Sequence, residues 1–153
     1  MGNDALDFMN SKALVQDNIF FSADDKCISV GEATEVRIEN NLFYDCQIAL
    51  QVKDNSRVDL ESAVIVDARA KAIDLYNKNY RYGRGGTVQS GSIYIPSGVS
   101  SVTVDDRSKA TIQSIINDYP EEFTLMVLGK PLKIDPQGLW LEQIDEFKTP
   151  IFF

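Results

Sequence analysis

The chain has 153 residues, of which 44% are hydrophobic, so it is long enough to bury the core of one domain of ordinary size. Its formal net charge of −8 argues against nucleic acid and anionic membrane surfaces as partners, because both attract a basic face. Histidine is absent, which excludes a Ser-His-Asp triad, a Cys-His pair and any histidine-ligated metal site.

Three short segments with alternating hydrophobicity recur along the chain at a period of 22 or 23 residues, which lengthens to 29 residues in the fourth repeat, between the segments at 72–75 and 101–104. The first segments lie at 5–8, 27–30, 49–52, 72–75 and 101–104, the second at 13–15, 36–38, 58–60 and 110–112, and the third at 19–21, 42–44 and 64–66. The inward positions of the first segments are all apolar: Leu6, Phe8, Ile28, Val30, Leu50, Val52, Ile73, Leu75, Val102 and Val104. Helical spacing would not keep that register.

The repeats predict an all-β fold, a right-handed parallel β-helix of about five coils spanning residues 1–113. Each coil alone would leave its apolar face in water, whereas stacked coils form one continuous core. The period is lost after Ile112. We interpret residues 114–153 as an irregular C-terminal cap over the last coil, with a short helical turn at 114–119 and strands or mixed segments at 123–128, 132–134 and 139–147.

The first coil begins at once and is predicted to expose an apolar floor of Leu6, Phe8, Val15 and Ile19. An uncovered end coil combines unpaired backbone groups with an apolar patch. Two explanations stay open: the chain is part of a larger protein, or its end is buried against another chain. We therefore predict a homo-oligomer formed through the N-terminal coil, either head to head or head to tail.

The two cysteines fall in different rows of the predicted stack. Cys27 aligns with Ala5, Ala49 and Ala72, whereas Cys46 aligns with Ala23 and Ala68. We interpret both as small buried fillers, the alternative being a disulfide between them.

Two aligned turn carboxylates, Asp45 and Asp67, are interpreted as part of a solvated ridge. A calcium site or an acid/base pair is the alternative for them. The sequence predicts no catalytic residue, no metal site and no cofactor.

The fourth coil contains an irregular loop rich in aromatic and basic residues. Its candidate binding residues are Tyr76, Lys78, Tyr80, Arg81, Tyr82 and Arg84. Tyrosine rings stack on the apolar faces of sugars, and guanidinium groups pair with uronate or sulfate groups. The loop therefore predicts carbohydrate binding. The alternative is a structural loop whose tyrosines lie flat on the coil wall and whose arginines pair with the acidic surface.

Residues 25–65 read DKCISVGEATEVRIENNLFYDCQIALQVKDNSRVDLESAVI, and residues 72–86 read AIDLYNKNYRYGRGG. This pattern resembles the right-handed parallel β-helix repeats of the carbohydrate-binding and sugar-hydrolase class. It is most similar to the repeats of large bacterial surface or secreted proteins that carry CotH-type kinase modules. The similarity covers residues 3–113 and implies the β-helix, a polysaccharide partner and an extracellular or cell-surface setting.

The chain differs from the polysaccharide-degrading enzymes of the class that it resembles. Pectate-lyase-like enzymes use an arginine and calcium-binding aspartates on the outer face of the first strands, where this chain has no arginine. Polygalacturonase-like enzymes use clustered aspartates, but Asp7 and Asp74 lie three coils apart, roughly 14 Å at the spacing of neighbouring strands. Glycosidase carboxylates are closer than about 9.5 Å.

The function predicted from the sequence is that of a non-catalytic module with a structural or carbohydrate-binding role, within a larger surface or secreted protein. A polysaccharide lyase or hydrolase, or an accessory domain of one, is the first alternative. A self-assembling structural subunit is the second.

Overall fold

The computed structural model describes residues 4–96 and 101–136, which form a parallel β-helix of about five coils and thus confirm the predicted fold. The strands are β1 (Leu6–Met9), β2 (Lys12–Gln16), β3 (Ile19–Phe21), β4 (Lys26–Gly31), β5 (Glu35–Glu39), β6 (Leu42–Tyr44), β7 (Cys46–Lys53), β8 (Arg57–Glu61), β9 (Val64–Ile65), β10 (Ala68–Tyr76), β11 (Thr87–Tyr94), β12 (Val102–Val104), β13 (Lys109–Ile116), β14 (Phe123–Val127) and β15 (Lys130–Ile134). None of the described helices is long and apolar enough to cross a membrane.

The first sheet stacks one strand from each coil, in the order β1-β4-β7-β10-β12. Its register is the one that the repeat predicts: Leu6 lies beside Ile28, Ile28 beside Leu50, Leu50 beside Ile73, and Ile73 beside Val102. Because the side chains alternate between the two faces, this register lines up one apolar position per coil. The three central members of the row are at most 1% exposed and form the middle of the core.

The second sheet joins the second and third strands of the coils. Its order is β2-β5-β8-β11-β9-β6-β3, with β13 also paired to β11. The long strand β11 pairs with both β8 and β9, so the fourth coil has one continuous strand where the sequence predicts two, near 87–88 and at 93–95. A buried asparagine, Asn41, closes the turn between β5 and β6. Its side chain donates to the carbonyl of Val15 at 3.0 Å and accepts from the Asn18 side chain at 3.0 Å.

The cysteines form a disulfide, so the interpretation of Cys27 and Cys46 as independent fillers was wrong. Their Cα atoms are 5.7 Å apart, within the range that a disulfide spans. The sequence pattern puts Cys27 and Cys46 in different rows. In the structure these two rows are adjacent, at the corner between the third strand of one coil and the first strand of the next coil. Both residues are fully buried, so the bond joins two successive coils inside the core.

The C-terminal segment departs from the predicted helical turn. Residues Ser114, Ile115 and Ile116 continue β13, in register with β11. Strands β14 and β15 form an antiparallel hairpin, with Phe123 opposite Ile134. The predicted segment at 139–147 lies outside the described residues.

The hairpin packs along the side of the solenoid rather than across its last coil. Phe123, Leu125 and Ile134 form a buried cluster with Leu42, Val64 and Val66, which are outward positions of the third strands. The side-chain amide of Asn40 also donates to the carbonyl of Thr124. The hairpin therefore covers the flank of several coils, which would otherwise be an apolar surface in water.

Candidate functional site

The loop between β10 and β11 is held by one buried carboxylate from the preceding coil. Asp54 is 2% exposed, and its Oδ1 accepts from the backbone N–H groups of Lys78 and Asn79, both at 2.8 Å. The side chain of Asn77 donates to the same oxygen at 3.1 Å. The first turn of the loop is thus fixed to the third coil by three donors on a single atom.

The following coil holds the loop from the other side. Asp105 accepts from the backbone N–H of Asn77 at 2.8 Å, and Arg107 donates to the Asn77 side chain at 3.2 Å. Burial alone would raise the pKa of the Asp105 carboxyl. Hydrogen bonds from Ser108, from the backbone N–H groups of Asn77 and Arg107, and the charge of Arg107 outweigh that effect and hold the pKa below its usual value.

A short 3-10 helix, Tyr80–Tyr82, carries the exposed part of the loop. Asn79 caps its start by accepting from the backbone N–H of Arg81 at 3.1 Å, and Gly83 ends it with a left-handed φ of 79°. The guanidinium carbon of Arg107 lies 4.6 Å from the centroid of the Tyr80 ring. One face of this ring is therefore supported by a cation–π contact, while the residue as a whole is 70% exposed.

The structure divides the six predicted loop residues into two groups. Lys78, Tyr80 and Arg81 are exposed and line one groove. The other three are set apart: Tyr76 lies half-buried at the end of β10, Tyr82 is half-buried, and Arg84 donates to the side chain of Asn55 at 2.5 Å. Three of the six predicted residues thus line one groove, and the assignment of all six to carbohydrate binding stays a prediction.

Tyr76 faces a different surface from the other loop residues. It lines a groove on the outer face of the first sheet with Asp74 and Thr103. Burial raises the pKa of the Tyr76 phenol, with smaller effects from the charges of Lys26 and Asp74.

The groove beside Tyr80 has a volume of about 690 Å³ and includes residues that the sequence analysis did not identify. Its lining also contains Asp7, Met9, Glu32, Lys53, Asp54 and Asn79. Three cationic side chains, Lys53, Lys78 and Arg81, thus lie around it together with the carboxylates of Asp7 and Glu32. The strand register could have indicated Lys53 as a neighbour of the loop, because Lys53 pairs directly with Tyr76, the last residue before the loop.

Two of the carboxylates considered for catalysis or metal binding have structural partners. Asp74 accepts from Thr103 at 2.7 Å, from Gln51 at 3.1 Å and from Lys71 at 3.3 Å. Asp45 forms an ion pair with Arg69 at 2.9 Å. Within residues 4–96 and 101–136, no group of three or more acidic or cysteine side chains could hold a metal ion.

The four residues of the predicted N-terminal floor differ in exposure. Leu6 and Phe8 are half-buried and pack on the main core. Val15 is only 5% exposed, and Ile19 is half-buried against the cluster beneath the hairpin. Of the predicted floor, Leu6, Phe8 and Ile19 are therefore partly exposed, whereas Val15 is buried.

The stacked coils, their register and their inward apolar rows define a protein of the right-handed parallel β-helix class. The family model described as "Right handed beta helix region" matches residues 2–90, more than half of the chain, so the chain belongs to this family. Searches of the curated proteins and of the solved structures give no significant match to this sequence.

Proposed function

We propose that this β-helix is a non-catalytic module that binds polysaccharide through the groove beside Tyr80. The observation that carries the proposal is the Tyr80 ring, which is exposed to solvent yet supported on one face by Arg107. An aromatic ring held in place before binding loses little conformational entropy when it stacks on a sugar. The clamped backbone of the loop supports the same conclusion, because Asp54 and Asp105 hold it from both neighbouring coils.

The charged residues of the groove indicate which sugars it would prefer. Lys78 and Arg81 are exposed beside the ring and have donors available for uronate or sulfate groups. A neutral polysaccharide would use the ring but not these charges. We therefore propose an acidic polysaccharide as the ligand of this groove.

Replacing Tyr80 with alanine is expected to weaken binding of an acidic polysaccharide by roughly 1 kcal/mol, which is about fivefold. Tyr80→Phe keeps the ring and should bind nearly as well as the unmodified protein. Affinity electrophoresis in gels containing pectate, alginate or a sulfated galactan measures the effect. The release of new reducing ends or unsaturated uronate would contradict a non-catalytic role, and equal retardation of Tyr80→Ala would contradict this site.

The end of the solenoid favours self-association as a second candidate function. Strands β1, β2 and β3 are the outermost strands of the described sheets, and two of their side chains, Met9 in β1 and Leu14 in β2, are 57% and 58% exposed. Terminal strands expose backbone groups that can pair with another chain. We propose that two copies associate through this coil.

Phe8→Asp is expected to convert an oligomer to a monomer, because it places a charge in the half-buried apolar end. Light scattering coupled to gel filtration measures the change. Ile115→Asp is the matched variant in the opposite terminal strand, where Ile115 is 45% exposed. A head-to-head dimer would survive Ile115→Asp, whereas a head-to-tail stack would not, and a monomeric unmodified protein would contradict both forms.

A further inference from the structure

A second groove lies between the outer face of the second sheet and the C-terminal hairpin. One outward row of this sheet carries Glu39, Glu61, Gly91 and Gln113 in successive coils. The row therefore lacks a side chain at Gly91, between a carboxylate and an amide. This gap forms a notch in the wall of the solenoid.

Neither backbone geometry nor packing explains the glycine at this position. Its φ is not in the left-handed region, and a Cβ built there would meet nothing closer than Gln113 Oε1 at 3.9 Å. Gly85 and Gly86 are different, because a Cβ there would collide with the Ser108 hydroxyl and with the Val52 carbonyl, respectively. A glycine also weakens the interior of a strand. Gly91 thus leaves open space on the outer face of the sheet, and no close contact requires a glycine there.

The notch connects two depressions of different character. One, of about 380 Å³, is lined by polar side chains that include Arg37, Arg57 and Gln89. The other, of about 600 Å³, lies against the hairpin and is lined by Tyr94 and Phe123, with Pro120 nearby. Both depressions include Glu61 and Gly91, so they form one continuous groove.

The charges on the polar side compensate one another. Arg57 donates to Gln89 at 3.0 Å and lies 3.5 Å from Asp59, and Arg37 lies 3.6 Å from Glu61. These contacts position donors and acceptors without leaving an excess of either charge. Arg37 and Arg57 are already engaged by neighbouring carboxylates, so they offer little to a phosphate or a polyanion. Hydroxyl groups, in contrast, can both donate to and accept from the side chains here.

We propose that this groove is a binding site for a neutral saccharide, separate from the groove beside Tyr80. A sugar ring would lie over Gly91, with its hydroxyl groups toward Glu61 and Gln113 and an apolar face toward Tyr94. The polar and aromatic sides match the two kinds of surface that a pyranose presents. The site does not depend on the loop of the fourth coil.

The test fills the notch while leaving the polar side chains themselves unchanged. Gly91→Trp is compared with Gln16→Trp, which places the same side chain in the same outward row three coils away. Short oligomers of glucose, mannose and xylose are titrated by calorimetry and by saturation-transfer NMR. Because the Cβ position at Gly91 is open, Gly91→Trp should fold. If Gly91→Trp does not fold, Gly91→Gln takes its place as a smaller variant.

The proposal expects that at least one of these oligomers binds the unmodified protein and Gln16→Trp equally, and binds Gly91→Trp about tenfold or more weakly. Equal binding to Gly91→Trp, or no binding of any oligomer to the unmodified protein at millimolar concentration, would overturn it. Tyr80→Ala should leave this binding unchanged, so failure of the loop site and failure of this groove give different results.

Discussion

Removal of the Cys27–Cys46 disulfide is expected to lower the free energy of unfolding by about 3 kcal/mol. The bond closes a loop between residues 19 positions apart and joins successive coils in the core. Without it, the unfolded chain gains conformational freedom, while the folded coils keep their hydrogen bonds. The effect is large for a domain, because total stability is about 5–15 kcal/mol.

The double variant Cys27→Ala/Cys46→Ala isolates the bond, because both cysteines stand in rows that already contain alanine. Ala49 and Ala72 continue the row of Cys27, and Ala68 pairs with Cys46. Urea unfolding of this variant is compared with that of the unmodified protein with and without reductant. Reductant should destabilise only the unmodified protein. Equal stability of the two proteins, or two free thiols in the unmodified protein under oxidising conditions, would contradict the prediction.

The disulfide also bears on where the protein functions. Such bonds persist in oxidising compartments and are rare in a reducing cytosol. The extracellular or cell-surface setting implied by the resemblance stays a prediction, and the disulfide is compatible with it.

The repeat predicted the coils because it fixes which side chains meet. A shift of one residue would turn Ile28 and Leu50 outward together, so only one register buries the whole row. The observed pairing of these two residues follows directly. Cys27 in β4 and Cys46 at the start of β7 stand in different rows, and the row pattern aligns only residues that share a row. It therefore could not predict the contact between them.

The flank of the solenoid had a signal that the sequence analysis did not use. The third segments, such as 42–44 and 64–66, are apolar at outward as well as inward positions. A strand that is apolar on both faces is typical of a sheet covered on both sides. Leu42 and Val64 are indeed buried outside the coil, under Phe123 of the hairpin. What the pattern could not supply is which segment covers them.

The candidate site was predictable only in part, for a similar reason. The excess length of the fourth repeat correctly indicated where the loop lies in the sequence. Its anchors lie in other coils, however, and their role depends on side-chain geometry rather than on spacing. Tyr76 pairs with Lys53 in the neighbouring coil. Continuing this strand register by one residue would have placed Asn77 beside Asp54 and identified Asp54 as the main anchor of the loop.

Replacement of that anchor, Asp54→Ala, is expected to destabilise the protein by about 3 kcal/mol, since three donors, one buried and two partly buried, lose a charged acceptor. The backbone N–H groups of Lys78 and Asn79 would lose their partner, and so would the side chain of Asn77. Alanine is also disfavoured by the left-handed φ of 53° at this position. Because the 3-10 helix follows directly, the ring of Tyr80 should lose its fixed position.

Two variants separate the anchor from general effects of an aspartate change. Asp54→Asn keeps an oxygen acceptor and tolerates the left-handed backbone, so it should cost clearly less than Asp54→Ala. Asp45→Ala has the same backbone cost, because Asp45 has a φ of 54°, but beyond that cost it loses only an exposed ion pair with Arg69, worth about 1 kcal/mol or less. Urea unfolding gives the stabilities, and hydrogen exchange at the amides of Lys78 and Asn79 reports on the loop. Unchanged exchange at both amides in Asp54→Ala would show that the loop is held by the Asp105 side alone, and binding of acidic polysaccharide should then persist.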